Sequence, residues 1–123
     1  MRALVIDDSA AVRTILKRIL TDCGFEVVEA SHGKEALERL RETGKADIAL
    51  VDWNMPEMNG YDFIRAVRAD HAHDGMRLMM VTTETEIAQV AKALEIGANE
   101  YVMKPFTKDM ILEKLSLMGI THA

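Results

Sequence analysis

The sequence predicts an α/β protein built on a parallel sheet. Three observations carry this. Short aliphatic runs recur five times in 123 residues, each is followed by a segment of helical periodicity, and Gly, Pro or Asp punctuates the junctions.

The elements follow in order. Ala3-Leu4-Val5-Ile6 is a first strand that stops at Asp7-Asp8. Val12, Ile15, Leu16, Ile19 and Leu20 recur at helical spacing and predict a first helix with one apolar face. Asp8 or Ser9 is placed to cap it, and Gly24 stands where its C-terminus is expected. Phe25 to Ala30 is a second strand, whose Glu26 and Glu29 suit a sheet edge; Ala36, Leu37 and Leu40 mark a second helix that stops near Gly44.

Ile48-Ala49-Leu50-Val51 ends at Asp52, and a loop with Pro56 and Gly60 leads to a helix carrying Phe63, Ile64 and Val67. Leu78-Met79-Met80-Val81 ends at Thr82, and Ile87, Val90, Ala91 and Leu94 form the next predicted stripe before Gly97. Tyr101-Val102-Met103 ends at Lys104-Pro105, and Thr107 caps a last helix with Ile111, Leu115 and Met118 on one face. The first, third and fourth strands are continuous apolar runs, as strands covered on both faces should be, while the second and fifth suit edges. The expected architecture is therefore a doubly wound (βα)5 sheet in the flavodoxin-like order 2-1-3-4-5.

Composition narrows the function. The chain has 15 Lys and Arg against 20 Asp and Glu, a net charge of −5, which argues against a phosphate-backbone grip on nucleic acid. No apolar run nears the roughly 20 residues that span a bilayer, so no membrane insertion is expected. The lone Cys23 forms no internal disulfide, and a reducing cytoplasm is the expected location.

Ligands of open parallel sheets sit beyond the carboxyl ends of the strands. Those ends supply Asp7 and Asp8 from strand one, Asp52 from strand three, Thr82 from strand four and Lys104 from strand five. Two like charges about 4 Å apart repel by about 4 kcal/mol at an effective dielectric of 20, so three carboxylates require protons, a cation or both. Lys104 offsets one charge, and a hard divalent cation offsets the rest. Mg²⁺ fits best, because it takes carboxylate, water and phosphate oxygens. Asp52, central in the sheet, is the candidate nucleophile toward a phosphoryl group, with Asp7 and Asp8 as metal ligands. An FMN carrier is disfavoured, since Asp7-Asp8 would repel its phosphate. An aspartyl phosphatase would place an Asp-x-Asp pair where this chain has Asp7-Asp8-Ser9.

Val5-Ile6-Asp7-Asp8-Ser9, Val51-Asp52-Trp53-Asn54-Met55-Pro56, Asn59-Gly60, Val81-Thr82 and Tyr101-Val102-Met103-Lys104-Pro105-Phe106 are ordered and spaced along nearly the whole chain. With these pieces the sequence resembles the receiver domain of bacterial two-component response regulators, most of all the single-domain chemotaxis type. The resemblance implies that Asp52 accepts a phosphoryl group from a sensor histidine kinase. It also implies that Asp7, Asp8, Asp52 and the main-chain carbonyl of Asn54 hold Mg²⁺, with Mn²⁺ as a substitute, and that Thr82 and Lys104 grip the phosphoryl oxygens. Lys104-Pro105 is implied to be a cis peptide.

By the same resemblance Thr82 moves toward the phosphoryl group and Tyr101 turns inward, remodelling the face of helix four, strand five and helix five. Asn54, Thr83 and Glu84 occupy lifetime-tuning positions. Thr83 is bulkier than the Ala or Gly often found there, while Asn54 and Glu84 match the chemotaxis type and imply faster hydrolysis than in slow-cycling transcriptional regulators. The implied activity is that of a phosphoacceptor which takes up and loses its own phosphoryl group, not a multiple-turnover enzyme. Residues 1–123 are expected to be one monomeric receiver domain without an output domain. Its partners would be the kinase, a phosphatase, and a downstream protein such as the flagellar motor switch; the alternative is a phosphorelay intermediate or phosphate sink.

Other residues carry plainer expectations. Met79, Met80 and Met103 fill the core, and Cys23 packs as a small apolar group. Met55 and Met58 are candidates for an adaptable partner surface; His71-Ala72-His73-Asp74 reads as a solvated loop rather than a metal site, and His32 and His122 as surface residues. Trp53 stands beside Asp52 as a fluorescence reporter.

Overall fold

The computed structural model describes residues 1–120 and, at Glu84, the backbone alone; the expectation for His122 lies outside the described residues. Five strands, β1 (Arg2–Ile6), β2 (Glu26–Ala30), β3 (Ile48–Asp52), β4 (Arg77–Thr82) and β5 (Glu100–Met103), alternate with five helices. The helices are α1 (Ala10–Asp22), α2 (Gly33–Thr43), α3 (Gly60–Arg68), α4 (Val90–Glu95) and α5 (Lys108–Leu117). All strand pairs are parallel, in the order β2-β1-β3-β4-β5. The expected fold and edge strands are those observed.

Strand periodicity sorts the core into two layers. Ala3, Val5, Leu50, Met79 and Val81 pack with Leu16 and Leu20 of α1 and Ile111 and Leu115 of α5. Leu4, Ile6, Ala49, Val51, Leu78 and Met80 face the other way, onto α2, α3 and α4. Both layers are buried, so after Arg2 and Arg77 at their amino ends β1 and β4, and β3 throughout, carry no polar side chain until they reach their carboxyl ends.

Local chemistry sets the helix ends. Ser9 Oγ accepts from Val12 N–H (3.3 Å), Asn59 Oδ1 from Asp62 N–H (2.9 Å) and Thr107 Oγ1 from Met110 N–H (3.2 Å). Ser9, not Asp8, thus caps α1, which leaves the Asp8 carboxylate outside the cap.

Several expectations need correction. The stripe of Ile87, Val90, Ala91 and Leu94 is not the buried face. Residues Glu84–Gln89 form a 3₁₀ segment, and Val90 and Ala93 face the core while Ile87 and Leu94 are 40% and 43% exposed. A 3₁₀ segment turns by three residues rather than 3.6, so the phase inferred from one continuous helix is lost. Ile15 is likewise 52% exposed, because Leu16, Ile19 and Leu20 already cover the sheet. His71–His73 is a 3₁₀ turn in which His71 is exposed but His73 is largely covered. His32 is half-buried, since its Nδ1 caps α2 by accepting from Glu35 N–H at 3.1 Å. Met103, on the edge strand, is half-buried, whereas Met79 and Met80 are in the core.

Candidate functional site

β1 and β3 are in register at their ends (Ile6 beside Val51), as are β3 and β4 (Asp52 beside Val81) and β4 and β5 (Thr82 beside Met103). The polar residues that follow or end these strands therefore meet at one rim. Carboxylate oxygens of Asp7, Asp8 and Asp52 all lie within 4.8 Å of one another, with Asp8 exposed and the other two buried. Lys104 Nζ is 3.1 Å from Asp7 Oδ2 and 3.4 Å from Asp52 Oδ1. The Lys104-Pro105 peptide is cis, and the Lys104 N–H donates to the Thr82 carbonyl at 2.6 Å, tying the end of β5 to β4.

Asp7 is held at every polar atom but one. Its N–H donates to the Ala30 carbonyl (3.1 Å), its carbonyl accepts from Arg13 Nη1 (2.6 Å), and its Oδ1 accepts from Ser9 N–H (2.9 Å). Oδ2 is buried, and its one polar contact among the described residues is the ion pair with Lys104 Nζ at 3.1 Å. Three carboxylates within 4.8 Å of one another, with a single ammonium shared between two of them, form an all-oxygen ligand set that suits a hard divalent cation.

Burial, followed by the charge of Asp7, pushes the Asp52 carboxyl up to about 7, against the opposing pull of Lys104. Lys104 moves the other way from what burial alone would do. Burial disfavours its ammonium, but contacts with Asp7 and Asp52 outweigh this and raise its pKa. The cluster without a cation is thus short of positive charge.

The remaining predicted residues stand around this centre. Thr82 is buried, and its hydroxyl donates a long bond (3.4 Å) to the Thr83 carbonyl. Thr83 caps the 3₁₀ segment: its hydroxyl lies 2.9 Å from Glu86 Oε1, which also accepts from Thr83 N–H at 3.2 Å. Asn54 is exposed in the loop after β3, and the Glu84 side chain lies outside the described residues. Tyr101 is not in the acid cluster. It is half-buried on edge strand β5, level with Met80, with Lys114 Nζ 4.8 Å from its ring centre.

The loop after Asp52 is anchored at both ends. Gly60 N–H donates to the Trp53 carbonyl (3.0 Å), and a Cβ on Gly60 would lie 2.6 Å from the Asp52 carbonyl oxygen, so only glycine lets α3 start this close to β3. Gly33 N–H donates to the Met58 carbonyl (3.0 Å), and Met55 and Met58 are partly buried against the core, not free surface. Trp53 packs edge-on against Tyr61 (centroids 5.9 Å, 69°) beside a groove of about 550 Å³ that also involves Lys92 and Ile96. That groove holds none of the four charged groups. Sequence reading missed Arg13, whose guanidinium reaches back six residues to Asp7; the only signal was a cation among the residues of α1.

The fold and this rim of charges match a known class. The family model of the response regulator receiver domain matches residues 3–116, and the chain belongs to that family. It is a response regulator of two-component signalling. Among curated relatives, chemotaxis protein CheY1 of Helicobacter pylori is 44% identical over 119 residues, covering 96% of each chain. The CheY homolog of Campylobacter jejuni is 45% identical over 116 residues, covering 94% of this chain and 89% of its own. Among solved structures, the chemotaxis response regulator CheY4 of Vibrio cholerae superposes with a TM-score of 0.86 at 33% identity, covering 94% of this chain and 96% of its own. A CheY-like receiver domain protein of Methanospirillum hungatei gives 0.84 at 32% identity, with 95% and 91% covered. Among the described residues no helix is long and apolar enough to cross a membrane.

Proposed function

We propose that Asp52 is the phosphoacceptor of a chemotaxis response regulator. The observation that supports this most is the buried Asp52 carboxyl, held near 7 and 3.4 Å from Lys104 in a three-carboxylate cluster. An Asp52 carboxylate oxygen attacks phosphorus on the kinase phosphohistidine. The new O–P bond forms as the P–N bond breaks, and the electron pair leaves on the imidazole nitrogen, which takes a proton. Lys104, paired with Asp52 before transfer, places its charge on the transferring oxygens and stabilises the negative charge there. Mg²⁺, or Mn²⁺ in its place, held by Asp7, Asp8, Asp52 and the Asn54 carbonyl, would neutralise charge on the same oxygens.

The phosphoryl group adds about −1.5 to −2 charges at the rim. The Thr82 hydroxyl has only a long bond to give up, so turning toward the new oxygens costs little. Tyr101, half-exposed on the edge strand, then rotates inward, and the face of α4, β5 and α5 changes. Exposed Ile87 and Leu94 near that face favour a protein target. The relatives are named chemotaxis proteins, which supports a chemotaxis role; we take the flagellar motor switch as the target, in the cytoplasm, with a sensor kinase upstream and a phosphatase as a further partner. Asn54, Thr83 and Glu84 tune the lifetime; the Thr83 hydroxyl is already engaged with Glu86, which keeps it from crowding the phosphoryl group.

Intact mass after incubation with acetyl phosphate and Mg²⁺ tests the reading. One phosphoryl adduct that needs Mg²⁺ and is missing in Asp52→Ala is the expected result. No adduct in wild type, together with no beryllofluoride binding, overturns it. Onward transfer to a second His-containing protein, without binding to a motor-switch peptide, would assign the relay or sink role instead.

A further inference from the structure

Arg13 lies on α1, outside the set of strand-end residues. Its Nη1 donates to the main-chain carbonyl of Asp7 at 2.6 Å, and its Nε is 3.4 Å from Glu29 Oε1 on the edge strand β2. Glu29 also takes Lys17 Nζ at 3.6 Å, so its carboxylate is steadied from two successive turns of α1. The Arg13 side chain is four-fifths covered.

The Asp7 carbonyl belongs to the peptide that joins Asp7 to Asp8. Fixing that oxygen fixes the peptide plane, and with it the direction from which Asp8 leaves the strand. Of the other polar atoms of Asp7, the N–H, taken by Ala30, orients Asp7 itself, while Oδ1, which accepts from Ser9 N–H, closes a turn around Asp8 from its far side and leaves the Asp7-Asp8 peptide plane to Arg13. Asp8 is exposed, and its carboxylate must still reach within 4.8 Å of two buried acids.

We propose that Arg13, braced by Glu29, is a positioning residue that sets the Asp7-Asp8 carboxylate pair for the divalent cation. This rests on the reading of the acid cluster as the Mg²⁺ site. Two effects of Arg13 oppose each other, which makes the inference testable by sign. As a positive charge beside the cluster, the guanidinium repels a cation, and its removal by charge alone tightens binding. As the group that orients the ligands' backbone, it supports binding, and its removal weakens it; loss of such supporting contacts typically costs about 10–100-fold in metal affinity.

The test is Mg²⁺ titration of the full chain, followed by calorimetry and by the fluorescence of Trp53, for wild type, Asp52→Asn, Arg13→Gln, Arg13→Lys and Glu29→Gln. Unfolding midpoints in EDTA are measured alongside. Arg13→Gln should weaken Mg²⁺ by about tenfold despite deleting a positive charge. Arg13→Lys, which keeps the charge but lacks the fork that spans carbonyl and carboxylate, should also weaken it, by several-fold. Glu29→Gln should shift affinity in the same direction by less, and it keeps the test open if the Arg13 variants do not fold. Affinity equal to or tighter than wild type in Arg13→Gln, or a lowered midpoint with unchanged affinity, overturns the proposal. Wild type without saturable binding that Asp52→Asn weakens overturns the Mg²⁺ reading, and this inference with it.

Discussion

Lys104 Nζ lies closer to Asp7 Oδ2, at 3.1 Å, than to Asp52 Oδ1, at 3.4 Å. The lysine from β5 therefore spans three strands to reach the end of β1, and it serves as the shared counter-ion of two buried acids. Burial and then the charge of Asp7 raise the Asp52 carboxyl to about 7, and the one shared ammonium offsets this only in part.

A pH dependence of stability follows. Without divalent cation, the folded chain keeps the Asp52 proton to about pH 7, whereas the carboxyl of the unfolded chain loses it near 3.8. As pH rises the unfolded state releases the proton first, so stability falls between these values and then levels off. The upper bound of this loss is about 4 kcal/mol. Asp52→Asn should remove the slope, matching wild type near pH 4 and exceeding it at pH 8 by about 1–3 kcal/mol. Urea unfolding in EDTA across that range is the check; parallel slopes would contradict it.

Removing the shared counter-ion should act in the opposite sense. Lys104→Met leaves Asp7 and Asp52 facing each other, so at pH 8 in EDTA we expect a loss of about 1–3 kcal/mol, smaller at pH 5 where Asp52 carries its proton. Mg²⁺ should recover most of the lost stability. Phosphoryl uptake from acetyl phosphate should nonetheless fail. Uptake at the wild-type rate would remove Lys104 from the chemistry.

The approach of α3 to β3 depends on Gly60. A Cβ there would sit 2.6 Å from the Asp52 carbonyl oxygen, which is backbone and cannot step aside without moving Asp52. Gly60→Ala should cost about 1–3 kcal/mol and slow phosphoryl uptake more than it lowers the folded fraction. Equal stability and rate would show that the loop yields.

Arg68 offers a control far from the rim. Its guanidinium donates to the carbonyls of Gly97 (3.0 Å), His73 (3.1 Å) and Met76 (2.7 Å) and to Asn99 Oδ1 (3.0 Å), at the amino ends of β4 and β5. Arg68→Ala should cost about 2–4 kcal/mol by leaving these acceptors unpaired. Phosphoryl uptake of the folded fraction should be unchanged, as measured by adduct yield at low temperature.

Among the described residues, Glu57, in the loop after Asp52, is the non-glycine residue held at positive φ (69°). Glu57→Gly relieves that conformation and should raise stability by about 1 kcal/mol in thermal or urea unfolding. No gain would mean that the exposed glutamate contributes something the glycine lacks.

Much of the site was legible because strand ends are legible. Aliphatic runs that stop at Asp7, Asp52, Thr82 and Lys104 announce where the sheet gives way to polar chemistry, and parallel topology brings those ends to one rim. Helix phase was less legible. Ile15, Ile87 and Leu94 fit an apolar periodicity yet face outward, because a one-dimensional pattern does not show how much of a helix the sheet covers or where a 3₁₀ segment shifts the phase.

The order of strands, the crossing of helices to both faces and the identity of the charged rim come from sequence alone, since hydrophobic period and strand-end chemistry are local properties. Tertiary structure decided the rest: which acid keeps its proton, which oxygen of Asp7 is left without a hydrogen bond, and that Arg13 reaches the Asp7 carbonyl. These depend on distances between residues remote in sequence or on the turn of a helix against the sheet. Burial and Coulomb energy are set by those distances, not by residue order.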